Sequence, residues 1–245
     1  MPRIGLGTWQ LGGEQGYRAM RYALEHGYRH LDTATMYQNE KEVGRAVHDS
    51  GVPRPDVFVT TKLPPGRVGR ERRTLATSLN NLGLEYVDLW LIHWPPDRGS
   101  SVPVWRELLA ARADGLVRAV GVSNYSTAQL DELADATGEM PAVNQIPWSP
   151  LRYDPGLLAE ATRRGVVVEG YSPFKRLRFT DPVLAGIAAA HGVTAAQVVV
   201  RWHVQLGVVA IPKSATPDRI VTNIDVYSFT LSDDEMARIS SLSRV

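Results

Sequence analysis

The sequence predicts a (β/α)8 barrel, the TIM-barrel architecture, on three observations. Short apolar, β-branched runs alternate with stretches of helical period in eight rounds. The 245 residues suit a fold whose usual size is about 250. The G-x-G-x-x-G fingerprint of an open dinucleotide-binding sheet follows no predicted strand; Gly5-Leu6-Gly7 comes nearest, but Trp9 and Gln10 lead to a missing third glycine. The eight strands are expected at 4–8, 28–32, 57–62, 87–93, 117–123, 142–146, 166–171 and 208–212. Ala19, Met20, Ala23 and Leu24 mark the apolar face of the first helix, which Gly27 is placed to end. Ser126 with Gln129, Thr194 with Gln197 and Ser232 with Glu235 each read as a capping box that opens a helix. Pro64-Pro65-Gly66 and Pro95-Pro96 read as strand-to-helix loops. No linker interrupts the pattern, so 1–245 is expected to be one barrel domain.

Composition narrows the function classes. Lys and Arg total 27 against 26 Asp and Glu, a net charge of +1, which argues against nucleic acid as a partner. Cysteine is absent, so disulfides, thiolate metal sites and cysteine nucleophiles are excluded. Apolar runs such as 89–92 fall far short of the roughly 20 residues of a membrane span. Met1-Pro2-Arg3-Ile4-Gly5 has no apolar signal core, and a cytoplasmic location is expected. His26, His48, His191 and His203 have no ligand spacing, so no metal is expected.

In a barrel of this kind chemistry collects where strands end and helices begin. The residues there are Trp9, Asp32, Lys62, His93, Ser123 with Asn124, Gln145, Tyr171 with Ser172, and Lys213 with Ser214; Tyr37 follows Asp32 by five positions. Taken singly, Asp32 reads as a helix cap, His93 as a core residue, Lys62 as a snorkelling side chain and Tyr37 as a surface aromatic. An acid, a base, a phenol and an imidazole at one predicted edge read instead as a site.

These residues resemble the aldo-keto reductases. Gly27-Tyr28-Arg29-His30-Leu31-Asp32-Thr33-Ala34, then Tyr37, Glu40 and Val43-Gly44, look like that family's first signature, and Ile211-Pro212-Lys213-Ser214 with Arg219 and Asn223 like its last. Thr60-Thr61-Lys62, Leu91-Ile92-His93-Trp94, Gly121-Val122-Ser123-Asn124, Asn144-Gln145 and Tyr171-Ser172-Pro173 fall between them in family order. The short loops look like those of prokaryotic members, including the 2,5-diketo-gluconate reductase group. The resemblance implies a soluble monomer that reduces small aldehydes or ketones with NADPH. Asp32, Tyr37, Lys62 and His93 would be catalytic, with Tyr37 the proton donor, Lys62 its electrostatic partner, Asp32 the counter-ion and His93 the orienter of the substrate oxygen. Ser123, Asn124 and Gln145 would hold the cofactor carboxamide, Tyr171 would stack on the nicotinamide, and Ser172 would lie at the pyrophosphate. Lys213, Ser214, Arg219 and Asn223 would surround the adenosine and its 2′-phosphate.

The chemistry asks for these residue types. Hydride addition to a carbonyl builds charge on oxygen, so an acid must supply a proton. A free phenol, with a pKa of about 10, is poorly matched to pH 7. A cation about 4 Å away in an effective dielectric near 20 is worth roughly 4 kcal/mol, about three pKa units, so Lys62 is expected to acidify Tyr37. Arg219 offers a planar fork and Lys213 a compact charge to a phosphate, which favours NADP(H) over NAD(H). Trp9, Trp94 and Phe174 fall beside the site and would form an apolar substrate wall.

The sequence also departs from the family pattern. Thr222 stands where many relatives carry Glu beside the adenine, and Pro147 where an acid is common. The N-terminal β-hairpin that usually closes the barrel bottom is expected to be absent, and with a short C-terminal loop an open, permissive pocket is expected. Two rival readings keep the barrel: a nicotinamide-binding sensor without turnover, and a lyase that uses Lys62 as a Schiff-base amine.

Overall fold

A computed structural model describes residues 1–96 and 99–243. Eight parallel strands follow one another around the sheet in chain order: β1 (Leu6–Gly7), β2 (His30–Asp32), β3 (Phe58–Leu63), β4 (Val87–Ile92), β5 (Val117–Ser123), β6 (Val143–Pro147), β7 (Val167–Tyr171) and β8 (Val209–Ala210). The ring closes between the last strand and the first. Gly5 N–H donates to Ala210 O at 2.9 Å, Ala210 N–H to Arg3 O at 3.0 Å and Gly7 N–H to Pro212 O at 3.1 Å. The predicted (β/α)8 barrel is the observed fold. No antiparallel hairpin precedes β1 among the described residues.

Except for β4 and β5, the strands begin later than their apolar runs. Tyr28, Val166 and Val208 were expected to be strand residues, but their N–H groups donate back to Ala23 O, Ala161 O and His203 O at 3.0 Å. Each is therefore held by the turn that ends the preceding helix, satisfying carbonyls that the helix leaves open. Gly27, at φ +97°, supplies the backbone conformation that turn requires.

The helices are α1 (Gly13–Glu25), α2 (Glu40–Asp49), α3 (Glu71–Leu82), α4 (Val102–Ala113), α5 (Thr127–Thr137), α6 (Pro155–Arg163), α7 (Pro182–His191), α8 (Ala195–Gln205), α9 (Pro217–Ile224) and α10 (Asp233–Ser240). The three predicted capping boxes open α5, α8 and α10, each with both reciprocal hydrogen bonds. The outer core lies between strands and helices, where Leu31, Val59, Trp90, Val120 and Val168 meet Met20, Leu24, Val43, Trp105 and Trp202.

Strand period places alternate residues inside the barrel. Leu89, Leu91 and Val143 form a buried inner cluster with Phe58, Ala119 and Val167 packed against it. The register sets Asp32 beside Gly7 and Thr60, Lys62 beside Leu91, and Gln145 between Ser123 and Glu169. A polar layer thus lies at the strands' C-terminal ends, the end from which the βα loops rise.

Candidate active site

Asp32 ends β2 and Lys62 is the penultimate residue of β3, so pairing of these strands brings two opposite charges together inside the barrel. Lys62 Nζ donates to Asp32 Oδ1 at 2.7 Å and to Thr33 O at 2.8 Å, with its side chain fully buried. Burial works against the charged ammonium, but Asp32, Tyr37 and Glu169 more than offset it and hold the Lys62 pKa above the ordinary lysine value. Tyr37 closes a short helical turn, Thr35–Tyr37, after β2. The Thr35 hydroxyl anchors this turn by donating to Lys62 O at 2.9 Å. Lys62 Nζ lies 5.0 Å from the centre of the Tyr37 ring. His93 follows β4, and its ring meets that of Tyr37 edge-on with centroids 5.9 Å apart. Asp32, Tyr37, Lys62 and His93 are therefore gathered at one point of the barrel mouth.

The electrostatics correct one expectation. Burial raises the Tyr37 pKa; the charge of Lys62 lowers it and that of Asp32 raises it, and the outcome lies above the ordinary phenol value. Lys62 does not make the phenol unusually acidic in this structure, because removal of the phenolate from water costs more than the attraction of Lys62 returns, and Asp32 2.7 Å from the ammonium offsets part of that attraction. His93 is pushed down to about 3 by burial and then by the charge of Lys62. It is neutral at pH 7, with Nδ1 buried and without a hydrogen-bond partner among the described residues.

The second group adjoins the first. Ser123 Oγ donates to Gln145 O at 2.8 Å, and Asn124 Nδ2 donates to Ser123 Oγ at 2.9 Å and to His93 O at 3.2 Å. The Tyr171 hydroxyl donates to Asn124 Oδ1 at 2.8 Å. Gln145 Nε2 donates to Asp32 Oδ2 at 2.7 Å, which ties this group to the lysine and aspartate. Asn124 at φ +67° and Ser172 at φ +56° hold left-handed conformations directly after β5 and β7, a strain that clusters at working sites. Lys213 and Ser214 follow β8, while Arg219 and Asn223 lie on α9. Ser214 and Asn223 are buried, whereas Lys213 and Arg219 are exposed and have no acidic partner among the described residues.

The three expected wall aromatics stand on separate loops, after β1, β4 and β7. Trp9 is 58% and Trp94 45% exposed, while Phe174 packs on Phe179 with centroids 5.5 Å apart. No ring contact joins the three among the described residues.

Sequence reasoning missed Glu169. It is fully buried on β7, accepts a hydrogen bond from Gln145 Nε2 at 2.9 Å and lies 3.6 Å from His30 Nε2. The signal was present: one acid at an inward position of the otherwise apolar run Val166-Val167-Val168-Glu169-Gly170.

A family-wide sequence profile described as the aldo/keto reductase family matches residues 3–244. The chain belongs to the aldo/keto reductase family. It is 46% identical to a 2,5-diketo-D-gluconic acid reductase B from Corynebacterium, over 98% of this chain and 88% of that protein. It is 40% identical to a methylglyoxal reductase from Escherichia coli, over 100% and 90% of the two chains. Among solved structures, an aldo-keto reductase from Bombyx mori in complex with NADP superposes with a TM-score of 0.92 at 32% identity, over 99% of this chain and 89% of that one. As a member of this family the chain is an oxidoreductase.

Proposed function

We propose that this aldo/keto reductase uses NADPH to reduce the carbonyl group of small aldehydes and ketones, with Tyr37 delivering the proton. The observation that carries the reading is the contiguous set Asp32, Lys62, Tyr37 and His93 at one barrel mouth, in a chain whose relatives include reductases of dicarbonyl compounds.

The residues present fit the cofactor. Ser123, Asn124, Gln145 and Tyr171 offer a prearranged polar edge with one aromatic face. Exposed Lys213 and Arg219, with no acidic partner among the described residues, suit a ribose 2′-phosphate. NADPH would supply the hydride, which no side chain can deliver. The chain supplies the rest. Tyr37 remains a protonated phenol through neutral pH, and so holds the proton that the substrate oxygen needs as charge develops on it. Lys62 stays charged and favours the phenolate left behind. Neutral His93 offers the substrate oxygen a ring N–H without competing as the acid. Exposed Trp9 and Trp94 leave the mouth open to varied small carbonyls.

The Schiff-base reading is set aside because Lys62 is ion-paired and held protonated, and an ammonium has no lone pair for attack. A monomer in the cytoplasm, free of nucleic acid, completes the proposal; no single helix among the described residues is long and apolar enough to cross a membrane. Following NADPH absorbance with a panel of aldehydes and dicarbonyls tests it. Tyr37→Phe is expected to lower kcat by about 10²–10⁴-fold while NADPH still binds. Unchanged turnover would refute the proton-donor role. NADPH binding by the unaltered protein without turnover of any carbonyl would favour a sensor.

A further inference from the structure

The polar layer of the barrel holds one more acid than the reduction needs. Asp32 and Lys62 neutralise each other at 2.7 Å. Glu169 lies on the far side of Gln145, whose Nε2 donates one hydrogen to Asp32 Oδ2 and the other to Glu169 Oε2. This amide has one workable orientation, since its carbonyl oxygen could accept nothing from the Asp32 carboxylate. Asp32 therefore fixes the amide flip of Gln145, Glu169 Oε2 accepts its second hydrogen, and Gln145 Oε1 has no hydrogen-bond partner among the described residues. The same arrangement leaves Glu169 Oε1 buried with no hydrogen-bond partner among the described residues.

We infer that Glu169 is a positioning residue that acts through Gln145. It holds the amide with its acceptor free for the cofactor carboxamide, and it couples the charge of the nicotinamide to a proton stored in the barrel. The inference rests on the proposed NADP(H) site. Its physical basis is a charge count. With the Asp32–Lys62 pair neutral, an ionised Glu169 would be an uncompensated buried anion. The groups that face or act on it are His30 and Asp32 from β2, Tyr37 from the turn after β2, Lys62 from β3 and the Gln145 amide from β6, with apolar Val209 beside it on β8. His30 gives no compensating charge, because burial and then the charge of Lys62 push it down to about 3. Burial first, and repulsion from Asp32 second, raise Glu169 to about 8. At pH 7 the proton is retained, and Oε1 is the oxygen left to carry it.

NADP+ carries a positive nicotinamide and NADPH a neutral one. An anion one amide away from the carboxamide would favour the oxidised form, and by linkage binding of NADP+ would weaken the hold of Glu169 on its proton, releasing part of it to solvent near pH 7. For a unit charge within about 10 Å at an effective dielectric near 20, the preference changes by about tenfold.

The test measures dissociation constants of NADP+ and NADPH by quenching of tryptophan fluorescence at pH 6, 7.5 and 9. Taking the ratio cancels the titration of the 2′-phosphate, which both forms share. In the unaltered protein the preference for NADP+ is expected to rise about tenfold from pH 6 to 9; in Glu169→Gln it is expected to stay flat. A flat ratio in the unaltered protein, or an unchanged slope in Glu169→Gln, overturns the inference. Calorimetry of NADP+ binding at pH 7 in two buffers of different ionisation enthalpy reads the same proton without a variant, and absence of proton release is a second refutation. Failure of both nucleotides to bind would instead sink the underlying cofactor assignment.

Discussion

At Tyr37 two effects oppose each other on one hydroxyl. Burial favours the neutral phenol and the Lys62 ammonium favours the phenolate, and burial prevails as the larger of the two, with Asp32 beside the ammonium adding to it. The acid is therefore available across neutral pH, and reduction is expected to decline only on the alkaline side. The resemblance and the strand ends made Tyr37 legible as a candidate; the sign of its shift was not legible, since spacing along the chain does not report desolvation. Lys213 and Arg219 were legible for the opposite reason: they are exposed cations whose behaviour depends little on packing. Replacing both by Ala is expected to raise the dissociation constant of NADPH about 100-fold more than that of NADH, given the roughly 1.5–3 kcal/mol of a hydrogen bond to a charged group. Equal losses for the two nucleotides would contradict the 2′-phosphate assignment.

At the scale of elements, Gly44 shows how a signature residue can serve packing. It sits in α2 where that helix crosses the C-terminal end of α3, and a Cβ there would collide with the Leu82 carbonyl. Neither helix can withdraw without opening the outer core around Val43 and Leu82. Gly44→Ala is expected to lower the unfolding free energy by about 3 kcal/mol, measured by urea denaturation; a loss below about 1 kcal/mol would show that the helices part easily. The capping boxes at Ser126, Thr194 and Ser232 were readable because they are satisfied within four residues. The first residues of β2, β7 and β8 were not, because an apolar run looks the same whether its first N–H joins the sheet or closes the turn behind it.

At the scale of the whole molecule, buried titratable groups set the pH range of stability. Burial holds His30 and His93 down to about 3 and His203 to about 4, whereas an unfolded chain protonates them near 6.5. Below that pH the unfolded state takes up protons that the folded state refuses, and each imidazole costs about 1.4 kcal/mol per pH unit. Glu169 acts in the opposite sense. Raised to about 8 in the folded protein, it keeps a proton that the unfolded chain loses above about 4.3, so its contribution falls as pH rises between those values. Three imidazoles outweigh one carboxyl below pH 6.5, and above it the carboxyl alone slopes. Stability is expected to peak near pH 6.5, to decline toward pH 8, and to fall steeply toward pH 4. Urea midpoints from pH 4 to 9 check this, and Glu169→Gln should remove the alkaline decline while keeping the acid one. A continuous rise to pH 9 in the unaltered protein would show that Glu169 holds no such proton.

The amino-acid order alone determined the alternation of strands and helices, and therefore the barrel, because period 2 and period 3.6 are properties of neighbours along the chain. It also determined which residues stand at the strand ends, and so the roll of Asp32, Tyr37, Lys62 and His93. Tertiary structure decided what depends on residues far apart in sequence: the Asp32–Gln145–Glu169 chain spans 137 residues but only two hydrogen bonds of 2.7 and 2.9 Å. Charge states inside the barrel follow from that meeting, because the cost of a buried charge is set by the groups folding brings around it.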